Sequence, residues 1–291
     1  MRANKFIITL KYPSVATIML LVVSFFWGFT FTITKNVLNY LDPYYFVGIR
    51  YLISAFTLVF FIKDWKIFLN KEFLKAAGLL GIFNFLTLMF QTLSLQFTLV
   101  TNSAFIATSY VLIVPLLGFL LFRQKITKNI ILAVVVGLMG MILLLSCDLS
   151  KINIGDLLSF GCALAYSLHI LYTGKATEKF PVLQLTFFQI AMVSILSFLC
   201  TPMGEHKLII NSDVIITLVF TAVVCTTFAF LMQTMLQKVV KPTTTAIIFS
   251  TEPVFATLTA VVIGHEVLVA GQYAGCSFMV LAVLISQWKI K

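Results

Sequence analysis

Ten long apolar stretches separated by short charged loops decide what this chain can fold into. They run at 14–34, 43–62, 73–95, 101–122, 129–146, 155–174, 182–200, 213–236, 243–263 and 268–287. Roughly 20 mostly apolar residues carry a helix across a hydrocarbon core of about 30 Å. Backbone groups in lipid must be satisfied internally, which leaves helices or a closed barrel. Barrel strands would be short and alternating, whereas these runs are continuous. Composition agrees, with 60% of the 291 residues hydrophobic and 10% charged, where a soluble chain carries about a quarter charged residues. The expectation is an all-α integral membrane protein of ten transmembrane helices, solvated by a lipid bilayer, with no soluble domain.

The basic residues orient it. With the N-terminus cytoplasmic, one face collects Arg2, Lys5, Lys11, the Lys63–Lys75 loop, Arg123, Lys125, Lys128, Lys175, Lys179, Lys238, Lys241, Lys289 and Lys291. The other face keeps Lys35, Lys151 and Lys207, and Arg50 lies within a span. Cytoplasmic loops are the basic ones, so the split predicts an N-in, C-in topology. The net charge of +10 is therefore a topology signal. Nucleic-acid binding would need a clustered basic face, and none is expected. The first apolar run shows no cleavage site and reads as an uncleaved first helix. No CxxC or Cys/His spacing suggests a metal, and neither metal nor cofactor is expected. Whether Cys147 and Cys200, both at outward helix ends, pair is left open.

An internal repeat divides the chain. A shift of 142 residues lays Asn102–Ile126 on Thr244–Leu268, Ala104 on Ala246, Gln91 on Gln233 and Gln124 on Glu266. Each half then contains five helices, at 14–146 and 155–287. Five is odd, so the halves run in opposite orientations. The loops agree: "RQKITK" after the fourth helix is basic, and "GHEVLV" after the ninth is not. Inverted repeats of this kind build many secondary transporters, with the substrate site near the midplane.

Three segments resemble a known family. "SFFWGFTFTITK" (Ser24–Lys35), "VGIRYLISA" (Val47–Ala55) and "STEPVFATLTAVVIGHEVL" (Ser250–Leu268) are similar to the first-helix, second-helix and glutamate-proline-valine segments of the drug/metabolite transporter superfamily, EamA type. The resemblance covers nearly the whole chain. It implies a ten-helix permease or exporter in a bacterial inner (plasma) membrane, moving small polar metabolites such as amino acids by alternating access. In the first half Val114–Pro115 keep the proline, with Ile113 standing where Glu252 has its carboxylate, so any role of the glutamate is asymmetric.

Glu252 is the sharpest candidate for substrate or proton binding, because an ionisable group within a span must face protein or water. Pro253 beside it removes a helix donor and frees an upstream carbonyl. Gln91 and Gln233 offer donors and acceptors either to a polar substrate or as glue between helices. Asn84, two turns before Gln91, and Gln237, one turn after Gln233, extend that polar stripe. His169, between Tyr166 and Tyr172, suits either a proton-linked role or a bond across helices. Trp27 and Tyr110 are candidates to line a pocket. Arg50 could meet a substrate carboxylate, pair with an acid, reach carbonyls or snorkel outward. Pro115, Lys35 and Arg50 are structural or gating candidates, Lys35 at the outer end of the first helix.

A transporter of this kind needs a small-molecule substrate, with protons as a candidate coupling ion, and could act as monomer or homodimer. A receptor or assembly protein without flux would need a longer exposed loop. An enzyme would need motifs that are absent: GxSxG, HExxH, a phosphate loop or paired intramembrane acids.

Overall fold

The computed structural model describes residues 13–145, 153–204, 206–263 and 270–287. Cys147, His265 and Glu266 lie outside the described residues. The described chain is helical throughout, its one β-bridge joining Leu41 to Leu208 in a loop. In chain order the helices are α1 (Pro13–Val37), α2 (Pro43–Val59), α3 (Lys71–Ser94), α4 (Val100–Ala107), α5 (Tyr110–Phe122), α6 (Lys128–Leu145) and α7 (Ile154–Lys179). They continue with α8 (Val182–Leu199), α9 (Ser212–Phe220), a π-helical segment (Thr221–Phe228), α10 (Ala229–Leu236), α11 (Pro242–Phe249), α12 (Glu252–Val262) and α13 (Ala270–Gln287).

Helix starts follow from local chemistry. Asn70 accepts from the amides of Glu72 and Phe73 at the head of α3, and Asn153 forms a reciprocal cap with Asp156 at the head of α7, each satisfying amides that a first turn leaves bare. Pro43 and Pro242 open α2 and α11, where a missing N–H costs nothing.

Three expected spans are interrupted rods. α4 and α5 bend at Thr108–Ser109, α9 and α10 are joined by the π segment, and α11 and α12 bend at Ser250–Thr251. Counted as rods, seven helices among the described residues are long and apolar enough to cross a membrane. Pro43–Val59, Lys128–Gly140 and Tyr273–Ala282 are shorter apolar helices. Large side chains such as Phe56, Phe60 and Leu199 face outward, while Glu252, His169 and Gln233 are buried. That is the arrangement a lipid solvent selects.

The halves interlock. α1 packs on the α11–α12 rod as α7 packs on the α4–α5 rod. α3 lies along α7 as the α9–α10 rod lies along α1. α2 pairs with α8, and α6 with α13. Exchanging the halves maps each contact onto another, so the core belongs to both repeats jointly.

Candidate functional site

The site grows from the break between α11 and α12. Ser250 Oγ donates to the Ile247 carbonyl at 2.7 Å and Thr251 Oγ1 to the Ile248 carbonyl at 2.8 Å. Hydroxyls bonded back onto their own helix compete with the amide ladder and bend it. Pro253 has no proton for the Phe249 carbonyl, and Ser24 Oγ of α1 reaches that oxygen at 3.5 Å while lying 3.0 Å from Thr251 Oγ1. The carbonyl freed by the proline is thus met by α1. Gly28 lets α1 come this close, since a methyl there would sit 2.6 Å from the Glu252 carbonyl oxygen and 2.8 Å from the Ala256 nitrogen.

Glu252, the first residue of α12, lines a half-open cavity whose unfilled space, counted with the adjoining solvent, is about 530 Å³. Trp27, Arg50, Gln91, Tyr110 and Tyr166 share its wall. The aromatic rings hold one another: Tyr110 meets Tyr166 edge-on at 5.0 Å, and Trp27 lies 6.0 Å from Tyr166 and 5.2 Å from Phe230. Tyr110 faces the Glu252 carboxyl closely enough to interact with it, yet its hydroxyl makes no hydrogen bond of regular geometry.

The π segment holds the opposite wall. Widened i→i+5 turns recur at functional sites, and here the Cys225 carbonyl accepts from Trp27 Nε1 at 2.9 Å and from Arg50 Nη2 at 3.5 Å. Arg50 Nε donates to Thr226 Oγ1 at 2.7 Å, and its guanidinium lies over Phe46 and Tyr51. Of the open readings for Arg50, the structure shows it reaching a carbonyl and a hydroxyl. No ion pair joins it to Glu252 among the described residues. A guanidinium has five donors, so some remain for a ligand. The cavity therefore offers one acid, one cation, an amide and an aromatic enclosure.

The remaining sequence candidates fall elsewhere. Gln233 is fully buried below the cavity, its Nε2 3.4 Å from the Tyr166 hydroxyl. His169 Nε2 bonds Gln189 Oε1 of α8 at 2.7 Å, across helices and away from the cavity wall. Asn84 is buried beside no partner for its Nδ2. Pro253 is buried behind Glu252, and Pro115 is buried inside α5. Lys35 Nζ donates to the Thr98 carbonyl at 2.9 Å, and Thr98 Oγ1 to Asp156 Oδ1 at 2.9 Å. That chain ties α1 to the α3–α4 loop and to the head of α7.

The reading that set Ile113 where Glu252 has its carboxylate is corrected: the 142-residue shift and the structure both place Tyr110 there. Both half-helices start 142 residues apart, at Tyr110 and at Glu252, so Tyr110 is the counterpart. The two prolines are not equivalent, because Pro115 lies within α5 whereas Pro253 sits at the head of α12. Sequence reasoning also missed Tyr166, Thr87 and Phe230 as wall residues. The hydroxyl pairs at the two breaks, Thr108–Ser109 and Ser250–Thr251, were the readable signal.

Comparisons with known proteins decide the family. The model of the EamA-like transporter family matches residues 14–146 and again 153–288. The chain belongs to the EamA-like transporter family. An uncharacterized transporter from Archaeoglobus fulgidus is 32% identical over 275 residues, covering 94% of this chain and 86% of that protein. A solved crystal structure shares the fold with a TM-score of 0.73 at 16% identity, covering 94% of this chain and 96% of the other. This EamA-type protein is thus a multi-pass membrane transporter, and its cavity sits between the two matched repeats, with walls from both.

Proposed function

We propose that this EamA-type protein is a secondary transporter of small polar metabolites, amino acids and related compounds among them. It works by alternating access across a bacterial inner membrane. All ten rods span, the two five-helix repeats at 14–146 and 155–287 are inverted, and both termini are cytoplasmic. The observation that carries the reading is the shared wall of Glu252 and Arg50. An acid and a cation on one half-open cavity, not spent on each other, suit a ligand that carries both charges or a polar ligand of similar size.

In this reading Glu252 takes the ligand's amine, or a proton, and the free donors of Arg50 take a carboxylate. Gln91 supplies the amide contact, while Trp27, Tyr110 and Tyr166 cover the apolar part. Glu252 is the candidate for proton coupling, because alternating access moves it between wet and dry surroundings that favour different protonation states. Lys35 on the Thr98 carbonyl is the outer tie that must release for access from outside.

Flux of labelled amino acids, amines and nucleosides into proteoliposomes tests the reading. A saturable flux of at least one compound is expected, reduced by Glu252→Gln with folding intact. Absence of flux across the panel, or wild-type flux from Glu252→Gln, would overturn it.

A further inference from the structure

A second hollow, with about 1120 Å³ of unfilled space, opens where α5 meets α6, at the end of α7, and where α10 meets α11. Gln237, Leu171 and Gly174 form its inner end, with Lys125, Lys175 and Lys241 around the mouth. On the topology proposed above this is the cytoplasmic side. Buried side chains of α7 and α10, Ile170 and Gln233 among them, separate it from the Glu252 cavity. Tyr166 lines the cavity and Leu171 lines the hollow, five residues or roughly 7.5 Å apart along α7. On the other side of the seam Gln233 and Gln237 stand one turn apart on one face.

Buried polar atoms nearly always have partners, and this seam collects exceptions. Gln233 Oε1, Gln237 Oε1, His169 Nδ1 and Thr173 Oγ1 are all buried and unpartnered. Their chemistry is legible. Gln237 Nε2 donates to the Ile170 carbonyl at 2.9 Å, which fixes the amide orientation and leaves the oxygen as the bare atom. Thr234 donates to the Phe230 carbonyl, so it accepts from Gln189 Nε2, so Gln189 Oε1 accepts from His169 Nε2. His169 Nδ1 is then an acceptor as well. Three of the four, Gln233 Oε1, Gln237 Oε1 and His169 Nδ1, are acceptors, and the Thr173 hydroxyl can both donate and accept.

We infer that Gln233 and Gln237 form a second ligand station on the route to the cytoplasmic hollow. It is entered when α10 parts from α7, and it takes ligands through their N–H or O–H donors. The inference rests on the transporter reading for its direction. Its residues lie below the Glu252 cavity and require no contact with Glu252. A ligand leaving the cavity would meet Gln233 first, then Gln237, each offering the acceptor that the closed seam leaves bare.

Single cysteines in a background without native cysteines test this in reconstituted vesicles. Gln237→Cys should react with a membrane-impermeant cationic thiosulfonate from the cytoplasmic side. Gln233→Cys, fully buried here, should react from that side more slowly. Ethylammonium should slow the reaction at the Gln233→Cys site by roughly fivefold, the worth of about one hydrogen bond. Tetramethylammonium, equal in charge but without an N–H donor, should not. Adding Gln237→Leu should remove the ethylammonium protection while lowering the melting temperature no more than the loss of its one bond to the Ile170 carbonyl does, the scale set by Trp27→Phe. No reaction of Gln233→Cys from either side, equal protection by both amines, or protection that survives Gln237→Leu would overturn the station. A melting temperature that falls well beyond that of Trp27→Phe would make Gln237 helix glue and equally overturn it. Labelling is read without flux, so an empty flux panel would sink the transporter reading separately.

Discussion

The bend at Thr108–Ser109 and the bend at Ser250–Thr251 occupy matching places in the two halves, and their difference separates architecture from chemistry. α4 and α11 begin and end 142 residues apart, as do the starts of α5 and α12. Both bends carry a hydroxyl pair, and Thr108 bonds back to the Ala104 carbonyl as Ser250 does to that of Ile247. Only the second has a proline beside it. The bend is therefore a property of the repeat, and the proline refines one copy. What differs is the residue that opens the next half-helix: Tyr110 in one, Glu252 in the other. The repeat supplies two equivalent positions on one cavity, and the chain placed a phenol at one and an acid at the other.

The largest effect should come from those two positions. Glu252→Gln should lower net transport by about 100-fold or more, the scale of losing a group that moves a proton or binds the ligand's charge. Tyr110→Phe should lower it by less than about tenfold, since its hydroxyl has no regular partner to lose. Equal losses in initial-rate flux would break the asymmetry.

Next comes the close approach that only the second bend makes. Gly28→Ala drives a methyl into the backbone of α12 and should cost about 1–3 kcal/mol, visible as a lower melting temperature in detergent. Gly78→Ala, with nothing within 4 Å, should be neutral or stabilising by up to about 1 kcal/mol. Similar shifts would show that the α1–α12 contact is loose.

Smaller still is the hold of the π segment on the wall. Trp27→Phe removes the Nε1 bond to the Cys225 carbonyl and should cost about 1 kcal/mol, again by thermal melting, with Arg50 keeping that carbonyl occupied.

The smallest contrast returns to the hydroxyls. Thr251→Val removes a side chain bonded to Ile248 and Ser24 and should cost about 1 kcal/mol. Ser109→Ala removes a buried hydroxyl with no partner and should cost nothing measurable. A loss for Ser109→Ala equal to that for Thr251→Val would make the two bends energetically alike.

Much of the site was readable residue by residue. Glu252, Gln91 and Arg50 each broke the apolar pattern of a span, Trp27 and Tyr110 stood out as aromatics, and all five line the cavity. Gln233, His169 and Asn84 broke it equally and sit elsewhere. A polar residue in lipid must turn inward, but inward includes the seam between α7 and α10 as well as the cavity. Hydropathy cannot tell the two apart, because both remove the side chain from lipid. The π segment was unreadable for a related reason, since "TAVVCTTF" lies within the range of apolarity of the other spans and a widened turn leaves no mark on periodicity.

The sequence by itself determined that this protein is a helical membrane transporter built as a repeat. Lipid admits few backbone solutions, and apolar length, loop charge and the 142-residue shift all report on that solvent. Tertiary structure alone decided that Tyr110 and Glu252 share one cavity, that the Cys225 carbonyl holds both Trp27 and Arg50, and that Gln233 and Gln237 lie outside that cavity's wall. Each of these depends on how two helices far apart in the chain approach and rotate, and in lipid that is settled by small residues, freed carbonyls and hydroxyls at the contact.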